Sequence, residues 1–117
     1  MSIESKVLLS SLSEIGTFTG DKCQGSSYHK LATSMHTIIA SFSNWSGELR
    51  FQGTLALYPG ESDWFDLKDL NNNSILLGDG STDYDDSYAV SSIGNFVWLR
   101  AVGSISAGTI SEIRYNY

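Results

Sequence analysis

The residues of this 117-residue chain that could do acid–base chemistry are few. His29 and His36 are its two histidines, seven positions apart, and neither is followed by a plausible ligand at metal spacing. A histidine acting as a general base needs a positioned nucleophile, and the sequence nominates none. Nucleophile-elbow, P-loop, Rossmann and H-E-x-x-H motifs are also absent. We therefore expect no catalytic residue and no cofactor-binding residue, with structural or surface roles for both histidines.

A short acidic stretch is the next candidate for chemistry. Glu61, Asp63 and Asp66 surround Trp64, an arrangement similar to a pair of glycosidase carboxylates near an aromatic platform. The separation of the two carboxyl groups decides such chemistry, and it cannot be read from a strand-to-loop stretch. Acidic residues beside a tryptophan also fit a polar loop around a core anchor, and we favour that interpretation.

The run from Asp79 to Asp86 is the best candidate for a metal site. Oxygen donors alternate at Asp79, Ser81, Asp83 and Asp85, as in the first half of a calcium loop. The glycine stands at the second position rather than the sixth, however, and no glutamate closes the loop at the twelfth. The pattern favours a solvated acidic turn without a metal, and it leaves open whether the loop binds a cation.

Aromatic residues near turns could instead bind sugar. Trp45, Tyr58, Trp64 and Tyr84 lie in or beside predicted turns, where a carbohydrate-binding sandwich displays such side chains. In the alternative interpretation, Trp64 and Trp98 belong to the core and Trp45 covers an edge of a sandwich. Spacing alone does not separate these two roles.

Charge and cysteine usage exclude several classes of partner. The net charge is −6, and seven scattered lysines and arginines offer no basic stripe, so we expect no direct contact with nucleic acid. The single cysteine, Cys23, allows no intramolecular disulfide and no cysteine-based zinc site. No run of about 18 apolar residues is present, so we expect no membrane partner.

Alternating residues predict the elements that would position these groups. Four segments carry the clearest strand patterns, the first two joined as an antiparallel hairpin through a turn at Asn44 to Gly47. The four segments are residues 36–43, 48–58, 95–102 and 109–117. The first places Ile38, Ala40 and Phe42 on one face, and the second places Leu49, Phe51, Leu55 and Leu57 on one face. In the last segment Ile110 breaks the parity, which indicates a bulge near Ser111 and Glu112. Leu55 and Trp98 are expected in the core.

Weaker strand patterns cover residues 6–12, 28–33, 73–77 and 87–91, and residues 65–67 could add a short strand. Short strands separated by glycine, asparagine and serine turns indicate an all-β fold, an antiparallel β-sandwich of jelly-roll-like type with about eight strands. The length suits one domain over residues 1–117. The weak pattern of residues 1–14 suggests an N-terminal arm that could reach a neighbouring subunit.

The order of several motifs resembles a diffuse family of small bacteriophage virion structural proteins. The motifs are Asn44 to Ala56 (NWSGELRFQGTLA), Pro59 to Leu67 (PGESDWFDL), Phe96 to Ala101 (FVWLRA) and Gly108 to Tyr117 (GTISEIRYNY). The resemblance covers about two-thirds of the chain, from Met35 to Tyr117, and brings no catalytic residues with it. It implies a jelly-roll or related sandwich in a capsid cement, neck or tail protein.

The size and acidity of the chain favour one position within such a particle. Tail fibres and spikes usually need longer chains or repeats, and an acidic protein suits the outer surface of a shell, away from packaged DNA. We expect a capsid decoration (cement) protein, made in the host cytoplasm, that forms a homo-oligomer (a trimer is favoured) and bridges major capsid protein subunits. The alternatives are a neck or tail component and a carbohydrate-binding module for host attachment. An enzyme is not expected.

Overall fold

The fold is all-β, and its strands form one antiparallel sheet. A computed structural model describes residues 5–29 and 35–117, except for the side chain of His29. The described residues contain no α-helix, and the sheet has seven strands: β1 (Lys6–Leu9), β2 (Gly16–Thr19), β3 (Cys23–Gln24), β4 (Met35–Thr54), β5 (Phe65–Asp66), β6 (Ser87–Ile93) and β7 (Trp98–Asn116). Two short 3-10 helices cover Ser26–His29 and Glu61–Asp63.

Two long central strands, β4 and β7, pair antiparallel with each other almost from end to end. The first half of β4 and the second half of β7 form one layer, with β6 and β1 as its outer strands. The other two halves form a second layer, flanked by β5 on one side and by β2 and β3 on the other. The sheet therefore folds back on itself into a sandwich-like shape, and each central strand belongs to both layers.

The sheet bends where the pairing of β4 with β7 is irregular. We call this region, residues 43–47 of β4 and 105–110 of β7, the crease. Asn44 has a φ of 49° and Gly108 a φ of 75°, values that bend an extended chain. The inward-facing residues change parity there, from Ile38, Ala40 and Phe42 before the crease to Trp45, Leu49 and Phe51 after it. An extra residue in a strand produces such a change, so both halves can face one core.

That core is one cluster drawn from both layers. Its members with no exposed surface are Ile38, Ala40, Trp45, Leu49, Leu99, Ala101, Ile110 and Ile113. Polar contacts also join the layers. The Tyr115 hydroxyl donates to the Gln24 carbonyl at 2.6 Å, and the Ser92 hydroxyl donates to the Lys68 carbonyl at 2.7 Å. The layers are thus joined at the sides as well as through the crease.

Several predicted elements are confirmed. The inward face of Ile38, Ala40 and Phe42 is buried, and the register of β4 against β7 passes over Ser111, which is the predicted bulge. Strands appear at Lys6–Leu9, Phe65–Asp66 and Ser87–Ile93.

Other predictions are wrong. Asn44 to Gly47 do not close a hairpin, because β4 continues through them and both of its halves pair with β7. The segments 95–102 and 109–117 are likewise parts of one strand. Residues 73–77 make only isolated bridges, at Ser74 and Leu77. Of the predicted strand 28–33, Tyr28 lies in a 3-10 helix and residues 30–33 lie outside the described residues.

The two residues chosen for the core and the proposed arm also need correction. Leu55 is 66% exposed and Trp98 is half-buried, because β4 ends at Thr54 and β7 begins at Trp98. Residues 1–4 of the arm lie outside the described residues, but Lys6–Leu9 pair with β7 and Leu8 is in the core. Residues 6–9 are therefore part of the sheet, and deleting 1–14 would remove an edge strand.

Candidate interaction surfaces

His36 is a structural residue rather than an exposed base. It is fully buried, and its Nε2 accepts a hydrogen bond from the backbone N–H of Ser26 at 3.1 Å. Its ring packs between Phe96 and Tyr117, with centroids 5.0 and 5.5 Å away. Burial lowers the pKa of His36 from 6.5 to about 4. The imidazole is therefore neutral at pH 7 and joins the start of β4 to the segment after β3.

We expect this histidine to make stability depend on pH. In the unfolded chain His36 takes up a proton near pH 6.5, whereas the folded protein resists protonation down to about pH 4. The contribution of neutral His36 to the free energy of unfolding is therefore complete above pH 6.5. It falls as the pH drops from 6.5 towards 4, by about 1.4 kcal/mol per pH unit and about 3 kcal/mol in total. Urea unfolding at pH 7.0 and pH 4.5 measures this loss.

The control for this pH effect is His36→Gln, whose side-chain carbonyl can still accept from Ser26 but does not titrate. Because His36 is the one titratable group that differs between the two proteins, the variant should lose about 2–3 kcal/mol less than the wild type between the two pH values. Equal losses in the two proteins would contradict the role assigned to His36.

The acidic residues near Trp64 are each held by a partner within the protein. Glu61 pairs with Arg100 at 3.6 Å, and Asp66 with Arg50 at 3.4 Å. Asp63 accepts the backbone N–H of Gly60 at 2.8 Å. The Glu61–Arg100 pair joins the loop between β4 and β5 to β7, the Asp66–Arg50 pair joins β5 to β4, and the Asp63 bond lies within the loop, as expected of a polar loop.

Trp64 is not the core anchor that the sequence suggested. It is half-buried, and the guanidinium of Arg100 stacks on its ring 4.2 Å from the centroid. Arg100 also donates to the Gln52 side-chain carbonyl at 2.9 Å. One face of the Trp64 ring is thus covered by a cation.

The acidic turn after Leu77 is organised by Asp79. Its carboxylate accepts the backbone N–H groups of Ser81 and Thr82 at 2.9 and 2.7 Å, and the Thr82 hydroxyl at 2.7 Å. The hydrogen bond from the Thr82 backbone is the largest of several that hold the pKa of Asp79 well below its usual range. Asp85 accepts the N–H of Asn44 at 3.0 Å and so fixes the crease. These carboxylates shape loops, and within residues 5–29 and 35–117 no three histidine, cysteine, aspartate or glutamate side chains group as metal ligands would.

The other turn aromatics divide into core and surface. Trp45 is fully buried, stacked on Phe42 at 4.5 Å and packed beside Tyr84 at 5.7 Å. It fills the crease, so it is not displayed for a ligand. Tyr58, by contrast, is 88% exposed. Of the four aromatic residues proposed to bind sugar, Tyr58 alone is an open platform.

Cys23 is half-buried in β3, with carbonyl oxygens of β1 3.7 Å from its sulfur. Burial, and secondarily the carboxylate of Asp21, raises the pKa of the Cys23 thiol. The protonated thiol predominates at neutral pH and is a poor nucleophile.

A larger feature is the end of the sandwich opposite the crease, where β4 starts and stops, β6 ends and β7 begins. Large apolar side chains there are 38–88% exposed. We call this surface the apolar end and define it by Tyr28, Met35, Leu55, Leu57, Tyr58, Phe65 and Ile93.

Trp98 joins Tyr28 to Leu57, and shared hollows and strand pairing place Leu55, Phe65, Ile93 and Met35 side by side. The Trp98 ring packs on Tyr28 at 4.9 Å and its Nε1–H donates to the Leu57 carbonyl at 2.9 Å. Leu55 and Phe65 line one hollow, Phe65 and Ile93 line the next, and Ile93 pairs with Met35 across β4 and β6. Isolated exposed apolar residues are ordinary, but a connected set of this kind marks a contact surface.

Sequence reasoning missed this surface because its members are far apart in the chain, and because Leu55 and Leu57 continue the apolar parity of β4. The turn pair Pro59-Gly60 ends the apolar pattern at Tyr58, four residues after the last residue of β4, Thr54.

Comparison with protein-family models, curated proteins and solved structures finds no match to this chain. None of the helices in the described part of the chain is long and apolar enough to cross a membrane.

Proposed function

We propose that this protein is a structural component of a bacteriophage virion, a capsid decoration (cement) protein without catalytic activity. It would form a homo-oligomer, with a trimer favoured, and bridge major capsid protein subunits on the outer surface of the shell. The observation that carries the proposal is the apolar end, because it supplies apolar area for contacts between chains.

The rest of the molecule supports an assembly role over a chemical one. The histidine, the acidic stretch and the acidic turn that could have done chemistry are all held in structural contacts. The net charge of −6 suits a position away from packaged DNA. The virion setting itself rests on the motif resemblance from Met35 to Tyr117. In this role the protein stabilises the shell by burying apolar area across weak junctions between capsid subunits.

The test compares two leucines of nearly equal exposure. Leu57 is 49% exposed within the apolar end, and Leu76 is 51% exposed outside it, beside the Leu49–Leu77 bridge. Leu57→Asp should weaken attachment at least tenfold, equivalent to about 1.4 kcal/mol, because a carboxylate would be buried at the interface. Leu76→Asp should attach like the wild type. Light scattering after size exclusion measures the oligomeric state of each protein. Each protein is then added to parent particles that lack it, and its occupancy on the particles and the temperature of genome release are measured.

Three results would contradict the proposal. If Leu57→Asp and Leu76→Asp weaken attachment equally, the apolar end is not the contact surface. Wild-type protein that binds tails or necks but not shells would place it elsewhere in the virion. Selective binding on a glycan array, with no binding to particles, would identify a carbohydrate-binding module.

A further inference from the structure

The outer edge of β6 differs from the other edges of the sheet. Within the part of the chain that the structure describes, β6 pairs only with β4, in unbroken register from Ser87 to Ile93. Its sequence, SYAVSSI, contains no charge, proline or glycine. Natural sheets usually protect an exposed edge with charged residues, prolines, bulges or very short strands. β6 has none of these features.

The remaining edges do carry such protection. β1 is four residues long, begins with Lys6 and has a register shift between Val7 and Leu9. β2 has four residues, and β3 and β5 have two each. The seven-residue edge of β6 is therefore the one described edge long enough and regular enough to accept another strand.

The register shows which backbone groups point outward. The N–H of Phe42 donates to the carbonyl of Asp86, so residues 42 and 86 are a hydrogen-bonded pair. Such pairs alternate along an antiparallel ladder, which directs the N–H and C=O groups of Tyr88, Val90 and Ser92 towards β4. The corresponding groups of four other residues point to the open edge: Ser87, Ala89, Ser91 and Ile93.

A groove runs along this edge. One hollow of about 350 Å³ lies between residues 69–71 and Ala89 to Ser91, and a second of about 520 Å³ continues past Ser92 and Ile93 to Phe65 and Phe96. Leu70 lines both hollows and is 53% exposed. An extended chain lying in the groove would therefore find backbone partners on one side and apolar surface beneath alternate side chains.

The charges around the groove favour one kind of occupant. Asp85 and Asp86 directly precede β6, and Asp69 and Lys68 line the other end of the groove beside Asp66, whose charge is paired with Arg50. A second copy of this chain would bring the same carboxylates and a net charge of −6. A partner strand with basic ends would be attracted instead.

We propose that the open edge of β6 binds an extended segment of another protein, with apolar side chains at alternate positions and basic residues at its ends. The segment adds to the sheet as a further strand. This proposal depends on the edge alone and is independent of the role in a virion proposed above.

The test uses the full chain and a ten-residue peptide in which valine and threonine alternate and two lysines stand at each end. Amide hydrogen exchange followed by NMR is the main measurement. Saturating peptide should slow exchange at least tenfold at Ser87, Ala89, Ser91 and Ile93, whereas Tyr88, Val90 and Ser92 should already be protected. A peptide that only adheres to apolar side chains would not produce this alternation.

Two substitutions and one control peptide complete the design. Ala89→Pro removes an outward N–H without removing a bond to β4, and should weaken peptide binding at least tenfold in fluorescence anisotropy. Because the proline could perturb the strand, Leu70→Asp tests the groove separately and should also weaken peptide binding. Its matched control, Leu76→Asp, should bind the peptide like the wild type. A peptide with glutamates in place of the lysines should bind at least tenfold more weakly than the basic one.

Two outcomes would overturn the proposal. One is unchanged exchange at the four outward amides in the presence of the basic peptide. The other is protection of these amides that rises with protein concentration in the absence of peptide, because a second copy would then be the occupant.

Discussion

Gly108→Ala should destabilise the protein by more than about 4 kcal/mol or prevent folding. Gly108 has a φ of 75°, in the region that favours glycine. A Cβ there would overlap the carbonyl group of Asn44, on the other strand of the crease. Both residues lie between paired neighbours, Ser43 with Thr109 and Ser46 with Ala107, so the substitution combines conformational strain with a steric clash. Urea unfolding followed by tryptophan fluorescence measures the loss.

Gly80→Ala separates these two causes. Gly80 has a φ of 90°, but a Cβ at this position has no atom within 4 Å. Gly80→Ala should therefore lower the free energy of unfolding only by the cost of the unfavourable backbone conformation, about 1–2 kcal/mol. Losses of similar size in the two variants would mean that the close approach at the crease contributes little.

Leu49→Ala and Leu55→Ala should differ sharply, although the two leucines share one parity of the same apolar pattern. Leu49 is fully buried in β4, so its truncation should cost about 2–5 kcal/mol. Leu55 is 66% exposed, so its truncation should cost less than about 0.5 kcal/mol. Denaturant midpoints of the two variants give the comparison. A loss above about 2 kcal/mol for Leu55→Ala would show that this residue is buried in solution.

The contrast shows where period-two reasoning stops applying. Alternation assigns faces correctly while the chain stays in the ladder, as it does for Ile38 and Ala40. At Thr54 the backbone makes its last pairing with β7, and Val97 donates to its carbonyl at 2.8 Å. Beyond that point the apolar residues face outward, because no neighbouring strand holds them. An apolar pattern alone does not mark this boundary.

The crease illustrates a second limit. Asparagine and glycine residues at 44 and 47 correctly indicate a change of direction, but the same residues suit a hairpin turn and a bend within a continuous strand. The choice is made by β7, which lies beside both halves of β4 and supplies the hydrogen bonds that a hairpin would otherwise form. A partner so distant in sequence leaves no local signal. The short strands β2 and β3 were missed for the same reason.

The candidate surfaces were predictable only in part. The sequence supports structural roles for the acidic residues and for His36, since no partner suited to catalysis stands near them in the chain. The apolar end required three-dimensional information, because it gathers residues from Tyr28 to Ile93. The open edge of β6 could be suspected from its uncharged sequence, but that β4 is its one neighbour among the described strands is a property of the topology.

The sharing of both central strands between the layers has a consequence for synthesis on the ribosome. The pairs joining β4 to β7 lie 44 positions apart or more, the nearest being Thr54 with Trp98, so the centre of the sheet contains no local hairpin. When β4 leaves the exit tunnel, it can acquire β5 and β6 as neighbours, but one side of its twenty residues stays unpaired until β7 is made. We expect folding to wait for the synthesis of β7 and to be slow, with a nascent form prone to aggregation.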